Sequence, residues 1–167
     1  VAGEIGGEVG DMEDKVLTID ESIQIITNKY SGLVVNKNWG EIGLFYNPEH
    51  KLKKGVYLLT FKEKDGANDK SSNLNRNKDL YRLNLGISKE TFIKLFGCIP
   101  SRPQAGKVID MKYDFKLKNI IMPHPVYGWM SWICVINPTE STFKTILPLI
   151  DEGYKLCIQK YNKRLRK

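Results

Sequence analysis

The run Trp129–Ile136, W-M-S-W-I-C-V-I, constrains the fold of this chain more than any other stretch. Trp129, Ile133 and Val135 fall on one face of an extended backbone. Met130, Trp132, Cys134 and Ile136 fall on the other. A strand that is apolar on both faces has to be covered on both, so the pattern predicts a central strand of a sheet. Everything from Trp132 onward then reads as core. The lead-in is of a different kind. Pro123 and Pro125 bracket His124, and a residue that precedes proline is biased toward extended backbone. The imidazole is therefore expected in a fixed place at the mouth of a buried strand.

The flanking elements set the class. Thr18 and Glu21 have capping-box spacing, and Ile19, Ile23, Ile26 and Tyr30 follow at helical intervals until Ser31-Gly32. Leu33–Asn36 and Trp39–Tyr46 read as strands separated by a polar turn at Asn36-Lys37-Asn38. Val56–Phe61 is β-rich. In Leu80–Leu85, Tyr81, Leu83 and Leu85 alternate with Arg82 and Asn84, which predicts a half-exposed strand with the two polar residues in water. Ser88 to Gly97 frames a short helix. Asn137-Pro138-Thr139-Glu140 has the order N-cap, first turn, third position, and opens a long apolar stripe from Phe143 to Tyr161. Pro148 inside that stripe predicts a kink or two abutting helices. Helices at both ends and hairpin-like links between give an α+β fold with a mostly antiparallel sheet. Residues 16–167 form one domain. Residues 1–15 are expected to be weakly ordered, being Gly-rich and acidic over 1–11. Met12 is expected as the native start, since codons for Gly-Glu-Val-Gly ahead of a Met can spell a ribosome-binding site.

Composition narrows the function classes. No apolar run approaches the roughly 18–20 residues of a membrane helix. Cys98, Cys134 and Cys157 are odd in number and far apart, which argues for a reducing, cytoplasmic setting rather than a disulfide framework. With two histidines, no H-E-x-x-H and no C-x-x-C, neither a metal nor a cofactor is expected. The net charge of +7 is uneven: residues 1–21 carry seven acids against Lys15, and residues 155–167 carry six bases and no acid. Lys160, Lys163, Arg164, Arg166 and Lys167 are the candidate contacts to a nucleic acid, and equally a solvated helix end that suits the helix dipole.

Several stretches carry a resemblance: Phe45–Pro48, Gly55–Arg76, Tyr81–Ile87, Leu95–Gly97, Arg102-Pro103 and Pro123–Pro138, the last reading P-H-P-V-Y-G-W-M-S-W-I-C-V-I-N-P. In these the chain resembles a bacterial family of short proteins of unknown function, which implies no activity. Its element order is also similar to the MmcQ/YjbR family, described as candidate DNA-binding proteins. That similarity implies a small antiparallel sheet with helices on it, and no functional residue is carried over.

Two segments remain as candidate site. Lys62–Arg76 is dense in polar side chains and longer than a hairpin loop needs. In it Lys62 and Arg76 would clamp an anionic group while Glu63 or Asp69 orients it. The second is the lead-in, with His124, Tyr127 and Trp129. The leading expectation is a binding protein for a nucleic acid or a small anion. An enzyme using His124 as acid/base beside Tyr127 is the alternative, and a homo-oligomer with an aromatic interface is a third.

Overall fold

A computed structural model describes residues 14–167; the expectations for residues 1–11 and for Met12 lie outside them. The order is α1 (Ile19–Lys29), β1 (Leu33–Asn38), β2 (Glu41–Tyr46), β3 (Val56–Lys62), β4 (Arg82–Gly86), α2 (Lys89–Phe96), β5 (Met122–Pro123), β6 (Trp132–Ile136) and α3 (Glu140–Leu165). The strands form one antiparallel sheet in the order β1-β2-β3-β4-β6-β5, so the fold is α+β. The strand of the W-M-S-W-I-C-V-I run lies inside it, between β4 and β5.

Helix ends follow the local chemistry. Thr18 accepts the Glu21 amide and Glu21 accepts the Thr18 amide, each at 3.0 Å. Ser88 caps α2, and Gly97 closes it in the left-handed region. Three boundaries differ from expectation. Strand β6 starts at Trp132 and not at Trp129, because Gly128–Met130 forms a turn of 3-10 helix and Ser131 takes φ +64°. The β1–β2 turn is at Trp39-Gly40, where Gly40 takes φ +75°; Asn36–Asn38 stay in the edge strand, whose outer side makes no demand for apolar residues. Helix α3 starts at Glu140 with Thr139 as N-cap. Asn137 is drawn away from the cap, accepting the Tyr81 amide at 2.9 Å and donating to the Asp79 carbonyl. The Asp14 carboxylate takes over at the helix start, accepting the Ser141 amide at 2.9 Å. Pro148 sits inside one continuous helix, and the buried stripe of Phe143, Ile146, Ile150, Cys157 and Tyr161 runs past it. No helix among the described residues is long and apolar enough to cross a membrane.

One sheet face carries the main core. Ile42, Leu44, Leu59, Phe61, Leu83, Leu85, Ile133 and Val135 pack there with Ile26, Phe92 and the α3 stripe. A β-bulge between Leu44–Leu59 and Phe45–Tyr57 turns both Leu58 and Leu59 into this core and leaves Tyr57 on the opposite face. Helix α3 approaches β4 closely at Gly153, where a Cβ would stand 2.7 Å from the Gly86 carbonyl oxygen. Because that neighbour is backbone, Gly153→Val is expected to cost about 1–3 kcal/mol by overpacking. A urea-melt midpoint equal to wild type would contradict this.

Candidate functional site

The second face of the sheet is where the sequence pattern is most misleading. Arg82 and Asn84 do alternate with the core residues of β4, as expected, but they are not in water: they are 1% and 3% exposed. The loop from Glu63 to Leu80 folds over them. Asp65 holds that loop by accepting the Leu74 amide at 2.8 Å, and Gly66 and Asp69 exchange backbone hydrogen bonds at 3.0 and 3.2 Å. The result delivers Asp69 and Ser72 onto Arg82.

The guanidinium is almost fully used. Nε donates to Asn84 Oδ1 at 2.7 Å, and one terminal nitrogen to Asp69 Oδ1 at 3.0 Å and Ser72 Oγ at 2.9 Å. The other terminal nitrogen donates to Asp69 Oδ2 and stands 3.2 Å from Nε2 of His124. Asn84 in turn donates to Thr60 Oγ1 at 3.0 Å. Burial raises the Asp69 carboxyl, but the hydrogen bonds and charge of Arg82 outweigh it and hold its pKa below the ordinary value. Burial also opposes the charge on Arg82, and Asp69 more than restores it. A buried carboxylate–guanidinium pair with bidentate geometry is the arrangement that keeps both groups ionised.

His124 is 2% exposed, and donors stand at both of its ring nitrogens, two at Nδ1 and Arg82 at Nε2. Nδ1 accepts two backbone amides, from Val126 at 3.1 Å and Tyr127 at 3.0 Å. An imidazole nitrogen that accepts hydrogen bonds carries no proton, so the ring hydrogen is on Nε2. Burial first, then the Arg82 charge, push the His124 pKa well below 6.5, so the ring is neutral. With the proton on Nε2, that atom and the Arg82 terminal nitrogen 3.2 Å away are both donors, so their contact is not a hydrogen bond and each keeps an N–H for an acceptor that could reach both.

That spot is the floor of an open basin of about 530 Å³. Arg82, Asn84, Thr60, Asp69 and His124 line its bottom; Tyr57, Tyr127, Met130 and Trp132 form its walls; Lys62, Glu41 and Asn68 stand at one end. Lys62 Nζ is 3.9 Å from a Glu41 oxygen, a loose pair. Glycines give the aromatic walls room to lie against the sheet. A Cβ on Gly86 would come within 3.1 Å of the Trp132 indole, and one on Gly43 within 2.9 Å of Phe45 and 3.3 Å of Tyr57.

The expected residues divide accordingly. Lys62, Asp69, His124 and Tyr127 line the basin together. Glu63 lies outside it, past the end of β3. Arg76 is spent on the loop itself, donating to the carbonyls of Ser72 and Lys116 at 3.0 and 2.7 Å, so it forms no clamp with Lys62. Trp129 also lies outside, beneath the Arg102 guanidinium at 4.9 Å. The assignment of everything from Trp132 onward to core is corrected at its first residue: Trp132 is half-buried and walls the basin, while Ile133–Ile136 are core. Of the basic tail, Lys160, Lys163, Arg166 and Lys167 are exposed and distant from the floor. Arg164 donates to the Gly55 carbonyl at 2.8 Å. Arg82, Asn84, Thr60, Glu41 and Tyr57, with Asn68, Val126 and Met130, are the basin residues that sequence reasoning missed. The available signal was two polar residues in a strand with an apolar partner face; what lay outside it was the loop that covers them.

No group of three or more His, Cys, Asp or Glu among the described residues is placed to hold a metal ion. Cys134 packs beneath the network as a free thiol, pushed up to about 12 by burial. No curated protein and no solved structure matches the chain. One family model does, over residues 17–166, which takes in the strands and helices of the described residues and the whole basin. The chain belongs to the DUF6194 family, a family of unknown function.

Proposed function

We propose that this protein binds a small ligand that combines a flat ring with an anionic, hydrogen-bond-accepting group. The observation that carries the reading is the 3.2 Å approach of His124 Nε2 to a terminal nitrogen of Arg82 in an aromatic-walled basin, with two backbone amides donating to Nδ1 so that both of the approaching nitrogens are read as donors. A carboxylate or phosphoryl oxygen supplies the acceptor both lack. Lys62 contributes the nearest exchangeable positive charge, since its contact with Glu41 is loose and partly open to solvent. Tyr57, Tyr127 and Trp132 offer ring faces. A basin that is mostly walls with a few convergent polar groups is the usual form of a small-molecule site.

The same geometry weighs against the acid/base alternative. A neutral imidazole whose Nδ1 is occupied by two amides has a proton on the nitrogen that faces the basin, so that nitrogen donates a hydrogen bond and does not accept a proton. A cytoplasmic setting belongs to the proposal as well, on the strength of three free thiols.

Benzoate is the minimal probe, a ring carrying one carboxylate. Titrated calorimetrically, it is expected to bind wild-type protein weakly, in the millimolar range proper to so few atoms. Lys62→Ala is expected to weaken binding several-fold with no change in melting temperature. Benzoate that fails to bind, or binds Lys62→Ala equally well while benzyl alcohol competes with it, would contradict the anionic part of the reading.

A further inference from the structure

A second basin, of about 600 Å³, lies beside the first on the same face of the sheet. Tyr57 lines both. Its other walls come from β1 (Val34, Asn36, Asn38), from Phe45, and from the loop between β2 and β3. Its charge is one-sided. Lys53, Lys54, Arg164 and His50 line it, and no carboxylate does among the described residues. In the first basin Asp69 and Glu41 balance Arg82 and Lys62; here nothing balances the cations. Neighbouring Lys51 lies outside this basin and pairs with Glu49 at 3.5 Å.

The loop that presents these cations is built rather than loose. Asn47 clamps it through both ends of its amide, donating to the Leu52 carbonyl at 2.8 Å and accepting the Leu52 amide at 3.0 Å. Glu49 and His50 are both held in the left-handed region, at φ +59° and +54°, where non-glycine residues are strained. Gly55 packs so tightly that a Cβ would stand 2.7 Å from Asn47 Cβ. Arg164 reaches over from the end of α3 and is tied to the Gly55 carbonyl at 2.8 Å, which leaves most of its N–H groups for another partner. Like charges gathered on a fixed loop are unfavourable unless an anion shares them.

We propose that this second basin is a phosphate subsite, and that the two basins, joined across Tyr57, take one ligand: a phosphate ester of a flat-ringed molecule, of the class of a nucleoside monophosphate. The ring lies in the aromatic-walled basin and the phosphate among Lys53, Lys54 and Arg164. The phosphate half stands on the second basin alone; the joining rests on the reading of the first. In this ligand an acceptor atom of the ring takes the place that a carboxylate oxygen takes in benzoate, so the joining keeps the first basin's ring site and its donors and moves the anion to the second basin.

The test uses the full chain, with adenosine 5′-monophosphate, uridine 5′-monophosphate, the two nucleosides and inorganic phosphate as probes, followed by calorimetry and by amide NMR. At least one monophosphate is expected to bind about tenfold tighter than its nucleoside or phosphate alone, shifting Gly55 and Arg164 together with Tyr127. The exposed double variant Lys53→Gln/Lys54→Gln is expected to lose about that tenfold for the monophosphate and to bind benzoate as wild type does. A variant that binds the monophosphates as well as wild type overturns the proposal. So does a monophosphate that shifts His124 and Tyr127 but not Gly55 or Arg164; that result leaves the first basin's reading standing. Absence of binding to every monophosphate overturns it too, as does tight binding of a short single-stranded oligonucleotide with none to the monomers. Failure of benzoate while phosphate still shifts Gly55 and Arg164 rejects the first reading, and with it the joining of the two basins, and keeps the phosphate subsite.

Discussion

Asp69→Ala is expected to lower the unfolding free energy by about 3–5 kcal/mol, the largest effect of any single change to the basin. The substitution removes both carboxylate contacts from a guanidinium that is 1% exposed. A buried charge stripped of its partner carries its desolvation cost uncompensated, and values of about 3–5 kcal/mol are typical. Asp69→Asn keeps part of the hydrogen bonding and loses the charge, so an intermediate loss is expected. Replacing both members, Asp69→Leu with Arg82→Met, is expected to be milder than Asp69→Ala alone, because no charge is then left buried. Urea denaturation of the four proteins decides it. A loss below about 1 kcal/mol for Asp69→Ala would mean that water reaches Arg82 freely and that the loop does not seal the floor.

The second large effect is linked to pH. His124 has a folded pKa well below its unfolded value of 6.5, because the buried ring excludes charge and Arg82 repels it. Between those two pKa values the unfolded chain binds a proton that the folded chain does not. Its contribution to stability is therefore fully present above pH 6.5 and is lost as pH falls below 6.5 toward the folded pKa. The slope approaches one proton, about 1.4 kcal/mol per pH unit. Asp69, whose carboxyl pKa is also lowered, adds a loss of the same sign, but only at pH below its unfolded value near 3.8. The window between pH 6.5 and 4.5 thus isolates His124. His124→Asn, which removes the titrating group, is expected to flatten the curve there while lowering stability at neutral pH. An unchanged slope in that variant would contradict the assignment.

How much of this was legible in the sequence depends on which side of the sheet is considered. The helix-facing side is written in local chemistry. Thr18 and Glu21, Ser88 and Gly97, and the stripe from Phe143 to Tyr161 each report their own element, because a cap or an amphipathic face is a short-range property. Asn137 misleads at the same scale: it has the right type and spacing for a cap, but a long-range partner, the Tyr81 amide, claims it. The site-facing side is long-range throughout. Arg82 and Asn84 look solvated until the Glu63–Leu80 loop covers them. Arg76 looks free until Lys116, forty residues on, accepts from it. Trp132 looks like core because tryptophan in an apolar run usually is, and only Gly86 opposite makes it a wall. Lys62, Asp69, His124 and Tyr127 were within reach because dense polarity in a long loop and a histidine fixed between prolines both mark places where the chain spends structure on something other than packing.

The central claim is that His124 presents Nε2–H, as a neutral ring, to an acceptor that a ligand must supply. The most direct measurement is a long-range ¹⁵N–¹H spectrum of the histidine rings, recorded across the range in which an ordinary imidazole titrates and again with benzoate present. His124 is expected to show a protonated Nε2 and an unprotonated Nδ1 throughout, and benzoate to move the Nε2–H signal. A ring protonated at Nδ1, or an imidazolium forming near pH 6.5, would contradict it.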